Sequence, residues 1–199
     1  MPYRIAHGQK ALSLVLKHLW CHRKLPAGTK PPVCPVDRVM LDRVKPGHGI
    51  AWTKIDSMPK YEAALGLIEA KAGNQVPLAV FELFTFSGNP VNNNPTAIDR
   101  AQRAFLNSDA WAKPRGVPDV EIWDGILEDA IRSSHARARL YKPGTPEWKK
   151  GPFKAALRRE LKGMGTAYAM GRRPLTVACF KEDVLRLRTD MNRDYPDIL

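Results

Sequence analysis

Cysteine is scarce in this chain, acids are outnumbered, and no long apolar run occurs. The three cysteines among 199 residues, Cys21, Cys34 and Cys179, are an odd and scattered set with no CxxC pair. They exclude a disulfide framework and fit a reducing compartment. The apolar run within 11–16 is cut by Lys17 and His18, too short for a signal core or a spanning helix. No Walker A loop, GxSxG elbow or HExxH helix is present, so nucleotide-driven motors and simple hydrolases lose support. The expectation is a cytoplasmic protein with no membrane segment.

What the chain does have is a normal core composition and an excess of cations. Hydrophobic residues make up 44% and charged residues 26%, near globular averages, so a packed core is expected. Lys and Arg number 32 against 20 Asp and Glu, a formal charge of +12. The excess is local. Residues 131–173 hold twelve cations (Arg132, Arg137, Arg139, Lys142, Lys149, Lys150, Lys154, Arg158, Arg159, Lys162, Arg172, Arg173) and two acids, Glu147 and Glu160, which is +10 of the +12. Like charges repel, and a chain tolerates such clustering where it meets a polyanion. Acids in the first turns and bases in the last of the preceding helix also suit the helix dipole, an ordinary account of part of the pattern. Lys154, Arg158 and Lys162 recur at four-residue spacing beside an apolar stripe of Phe153, Leu157 and Leu161. Tyr141, Trp148 and Tyr168 are interleaved, as aromatics are in surfaces that stack single-stranded bases.

Read by period, the chain is mainly α, with helices punctuated by 17 prolines and 14 glycines. Helices are predicted over 9–22, 36–44, from Ser57 to a left-handed cap at Gly73, 96–111, 119–139, 152–162 and 182–191. The run 76–86 fits a buried strand or a helix opened by Pro77, and helix is preferred. The run from Leu175 to Phe180 (LTVACF) reads as the one short strand. The Asn- and Pro-rich stretch 87–95 divides an N-terminal helical half, 1–86, from a C-terminal basic half, 96–199. The expected architecture is a compact helical protein of two packed halves.

Three local patterns carry chemistry. His18 and His22 stand four apart on one helix, and with Cys34 and His48 they offer four ligands of the kind zinc takes, although the spacings match no named finger. A packed histidine on an apolar helix is the alternative. The stretch GMGTAYAMG, with Gly163, Gly165 and Gly171 ahead of Arg172 and Arg173, resembles the glycine-rich loop of CRISPR-associated RNA-binding proteins of the repeat-associated mysterious protein superfamily. That resemblance implies RNA-backbone contact by these glycines. It departs from the pattern at Arg173, where the final glycine belongs, and the superfamily's repeated βαββαβ order is not found. An ordinary helix end and turn would also use these glycines. Finally, Pro118-Asp119 followed by Glu147-Trp148-Lys149 is similar to the metal-site order of PD-(D/E)xK nucleases. In that family the two carboxylates hold Mg²⁺ and the lysine, here Lys149, assists water. Glu147 falls in a Pro- and Gly-bounded stretch where that family has a strand, and Asp119 also suits a helix N-cap.

The expectation from these residues is non-catalytic, sequence-independent binding of nucleic acid, RNA or DNA, alone or as a subunit of a nucleoprotein assembly. The contacts expected are Arg132, Arg137, Arg139, Lys149, Lys150, Lys154, Arg158, Arg159, Lys162, Arg172, Arg173 and Trp148. No cofactor is expected, zinc being the one candidate. An adaptor or inhibitor that meets an acidic protein partner through the same patch is the alternative.

Overall fold

A computed structural model describes residues 3–74, 76–108, 119–135 and 151–196. Among them are eight helices and no strand: α1 Ile5–Cys21, α2 Arg38–Val44, α3 Met58–Ala72, α4 Leu78–Phe86, α5 Pro95–Ser108, α6 Asp119–His135, α7 Pro152–Ala169 and α8 Val177–Asp194. A single 3₁₀ turn, Trp52–Lys54, stands between α2 and α3.

α1 is the axis of the fold. It packs against α3, α5, α6, α7 and α8, most extensively against α6, and 15 of its 17 residues are buried. A helix covered on every side cannot leave polar groups to water, so each needs a partner inside the protein. Gln9 spans the gap to the 31–36 stretch: its amide nitrogen donates to the Val36 carbonyl at 2.7 Å and its oxygen accepts from the Val36 N–H at 3.1 Å. Lys17 Nζ meets Glu82 Oε1 of α4 at 2.9 Å, with both side chains at most 6% exposed. The same ammonium lies 4.3 Å from the Phe105 ring centroid and 5.0 Å from that of Phe86. His18 Nε2 donates to Asp129 Oδ2 of α6 at 2.9 Å. Burial alone would raise the Asp129 carboxyl, but hydrogen bonds from His18 and Ser133 and the charges of His18 and Arg132 hold it down to about 2.

The helix at 76–86 is confirmed as α4, and Gly73 ends α3 at a φ of 70°. Two expectations fail. No strand forms at 175–180: Thr176 caps α8, its hydroxyl accepting from the Cys179 N–H at 3.2 Å. The buried series Phe180, Val184, Leu187 and Met191 continues at helical spacing, so a period set by the longer segment overrides the local β-branched run. Gly163 and Gly165 form no loop either, because α7 runs on to Ala169. The physical reason at Gly165 is packing. A Cβ there would stand 2.8 Å from Trp123 Cη2 and 2.8 Å from Val15 Cγ1, so the missing side chain lets α7 close on both α1 and α6. Only Gly171, at a φ of 68°, sits in the turn after the helix.

Candidate nucleic-acid interface

α7 follows the apolar stripe read in its sequence: Phe153, Ala156, Leu157, Leu161, Met164 and Tyr168 are buried. This fixes where its cations point. Lys154 and Arg158 lean toward α6 and are half-buried there. Lys154 Nζ meets Glu128 at 2.8 Å, while Arg158 bridges Asp124 at 2.9 Å and Glu128 at 3.0 Å. Arg132 is held by Asp129 one turn back on α6 at 2.8 Å. Half-exposed pairs of this kind contribute about 1 kcal/mol or less each, but they neutralise the charge that the sequence assigned to a ligand. The acids concerned lie just before residue 131, so a count that begins there misses them: residues 119–130 hold five acids and no cation.

After the α7–α8 turn, Arg173 is similarly engaged. Its guanidinium donates to Glu182 at 2.7 Å, to the Cys179 carbonyl at 3.0 Å and to the buried Asp183 at 3.2 Å, and the Tyr168 hydroxyl donates to Asp183 at 2.7 Å. The hydrogen bond to Glu182 leads the effects that raise the Arg173 pKa, and burial leads those that raise that of Tyr168. Arg159 is 72% exposed, with Glu160 beside it at 3.3 Å. Lys162 and Arg172 are exposed and make no ion pair among the described residues. Arg172 lines, with Arg173 and Arg186, a groove of about 480 Å³ between α7 and α8, whose acids are Glu160, Glu182 and Asp183. Arg137, Arg139, Trp148, Lys149 and Lys150 lie outside the described residues.

The zinc set is not assembled. His18 is bound to Asp129, and its ring stacks on that of His22 at 6.4 Å. His48 accepts from the Ile50 N–H through Nδ1 at 2.8 Å and donates through Nε2 to Asp42 at 3.1 Å. The Cys34 thiol is buried, and its pKa is pushed up by that burial and by the charges of Glu82 and Asp37. Among the described residues no three His, Cys, Asp or Glu side chains come together to hold a metal. Of the nuclease pattern, Asp119 opens α6, whereas Glu147 and Lys149 lie outside the described residues.

Sequence reasoning missed the polar strip on α1. Its signal was present: Gln9, Ser13 and Lys17 recur every four residues on a helix otherwise apolar nearly all round, and such a helix is a buried one. It also missed a cleft of about 570 Å³ between the end of α1 and the start of α5, lined by Trp20, Arg23, Lys30, Ile98 and Gln102 among others. Its lining residues are too far apart in sequence to form a motif.

Fold and site together define a class no narrower than a compact, mainly α-helical protein. Among the described residues no helix is long and apolar enough to cross a membrane. No model of a known protein family matches the chain, nor does any curated protein or solved structure.

Proposed function

We propose that the protein binds nucleic acid without catalysis, through Arg159, Lys162 and Arg172 and through the cations of the 136–150 segment, Arg137, Arg139, Lys149 and Lys150 among them. The observation that carries the reading is the density of cations in the sequence of this region, together with the exposed Lys162 and Arg172, which make no ion pair among the described residues. The 136–150 segment has five cations against one acid. Meanwhile Asp124, Glu128 and Asp129 on α6 are engaged by Arg158, Lys154, Arg132 and His18. Cations of this kind contact phosphates and fix position without reading sequence, which favours sequence-independent binding or a subunit role. Trp148 adds a stacking surface for a base.

The test is a salt-titrated shift assay with RNA, single-stranded DNA and duplex DNA. Joint replacement Lys162→Glu and Arg172→Glu is expected to weaken binding to whichever form is bound. It should also lower the slope of log affinity against log salt by about 2, near 0.9 for each phosphate that is no longer neutralised. Replacing Lys154 and Arg158 by Glu lowers the melting temperature instead, since it sets like charges against Asp124 and Glu128. If the unaltered protein binds none of the three nucleic acids at about 50 mM salt, the reading is removed and an acidic protein is left as the partner.

A further inference from the structure

The cleft beside α5 is lined by a side-chain amide that no described residue hydrogen-bonds. Gln102 is 6% exposed and lines the cleft, and its amide makes no hydrogen bond among the described residues. Gln9, fully buried on α1, has both ends of its amide bonded. The Gln102 amide is not among the polar atoms sealed off from solvent, so it is open to the cleft and available to hydrogen-bond a molecule held there. The cavity, at about 570 Å³, is within the range of small-molecule sites.

The lining specifies the ligand's chemistry. Trp20, Leu25, Pro26, Pro95 and Ile98 supply apolar walls that suit a flat ring. An amide presents a donor beside an acceptor, the complement of a nucleobase edge. Cations stand among the lining as well. Arg23 takes a φ of 58° just past the end of α1 and meets Asp99 at 2.5 Å, while Arg103 holds the other oxygen of the same carboxylate at 2.8 Å. Among the lining residues Arg23 and Lys30 outnumber the one acid, Asp99, whose charge is also met from outside the cleft by Arg103, so the cleft is net positive and suited to an anionic group.

We propose that this cleft takes one nucleotide: its base lies against Trp20 and is read by Gln102, and its phosphate is met by Arg23 and Lys30. This site is separate from the basic surface of α7 and does not depend on it. The shared chemistry is a nucleoside monophosphate, whether free or as one unit of a strand.

Calorimetry with AMP, GMP, CMP and UMP on the full chain tests the proposal. At least one should bind with a dissociation constant below about 1 mM, and Gln102→Leu should weaken it at least about tenfold. Because the Gln102 amide has no partner to lose, Gln102→Leu should melt at the same temperature or higher, an outcome a structural role would not give. Lys30→Ala should weaken the monophosphate while leaving the corresponding nucleoside unchanged. A short oligonucleotide that competes with the monophosphate assigns the cleft to a strand, and one that binds beside it assigns the cleft to free nucleotide. The proposal is overturned if no monophosphate binds, if Gln102→Leu binds as well as the unaltered chain, or if a proline-rich peptide binds there in place of nucleotides. Salt-dependent strand binding that persists in Gln102→Leu leaves the α7 reading intact, and monophosphate binding that persists in Lys162→Glu/Arg172→Glu leaves this one intact.

Discussion

Gly163 and Gly165 sit two residues apart in α7, and their replacement by alanine should move stability in opposite directions. In a helix interior, Gly→Ala is worth about 0.5–1 kcal/mol from backbone entropy alone. At Gly163 nothing lies within 4 Å of the added Cβ, so that gain should appear in full. At Gly165 the added methyl would stand 2.8 Å from the Trp123 indole and 2.8 Å from the fully buried Val15. Neither neighbour is the free end of a flexible chain, and forcing an extra methyl into a packed core costs roughly 1–3 kcal/mol. Set against the same helix gain, Gly165→Ala should be destabilising by about 1 kcal/mol, and the two variants should differ by about 2 kcal/mol. For a chain of this size that is a gap of about 4–8 °C in melting temperature, read by circular dichroism and cross-checked by urea midpoints at unchanged slope. If Gly165→Ala melts as high as Gly163→Ala, the close approach of α7 to α1 and α6 is wrong.

Two further outcomes follow from the buried charges. Glu82→Ala strands the Lys17 ammonium between Phe86 and Phe105 and should cost about 3–5 kcal/mol, whereas Lys17→Met with Glu82→Leu should cost far less; a loss under about 1 kcal/mol for the single variant, measured by denaturant unfolding in a double-mutant cycle, would contradict the pair. Burial, aided by the charge of Arg4, lowers the His7 pKa from 6.5 to about 4. The unfolded chain therefore binds a proton over that window that the folded chain refuses, and stability should fall by about 3 kcal/mol as pH drops from 6.5 to 4. Asp129 acts lower: its carboxyl is held at about 2, so its contribution is present above about 4 and is lost between there and pH 2. His7→Phe should flatten the upper limb alone in urea titrations at successive pH values.

Most of the helices were legible because their apolar positions recur at three and four residues over two turns or more. α3 is the clearest case, with Tyr61, Leu65 and Ile68 inward and Gly73 at its left-handed end. The run at 175–180 misled because its six residues, taken alone, are apolar and β-branched. The helix is declared only by Thr176 before it and by Val184, Leu187 and Met191 beyond it. The glycines of α7 misled for a different reason. Glycine marks a turn when the backbone needs a positive φ, as at Gly171, and marks a close approach when another element presses on it, as at Gly165; sequence does not separate the two.

Charge was the feature most visible in the sequence and the least faithfully read, because a segment's net charge says nothing of what faces it. Lys154 and Arg158 stand 26 and 30 residues from Glu128, a separation no window over the basic stretch includes. The antiparallel return of α7 along α6 brings them together. Residues 119–130 supply five acids ahead of the net ten positive charges of 131–173, and three of them, Asp124, Glu128 and Asp129, pair with Arg158, Lys154 and Arg132. On the proposed reading, a polyanion would be met by the cations of 136–150 and by Lys162 and Arg172, while the stripe of Lys154 and Arg158 pairs with Asp124 and Glu128 of α6. Substitutions meant to probe binding must be placed on the former. On the stripe, a loss of binding would report only a loss of fold.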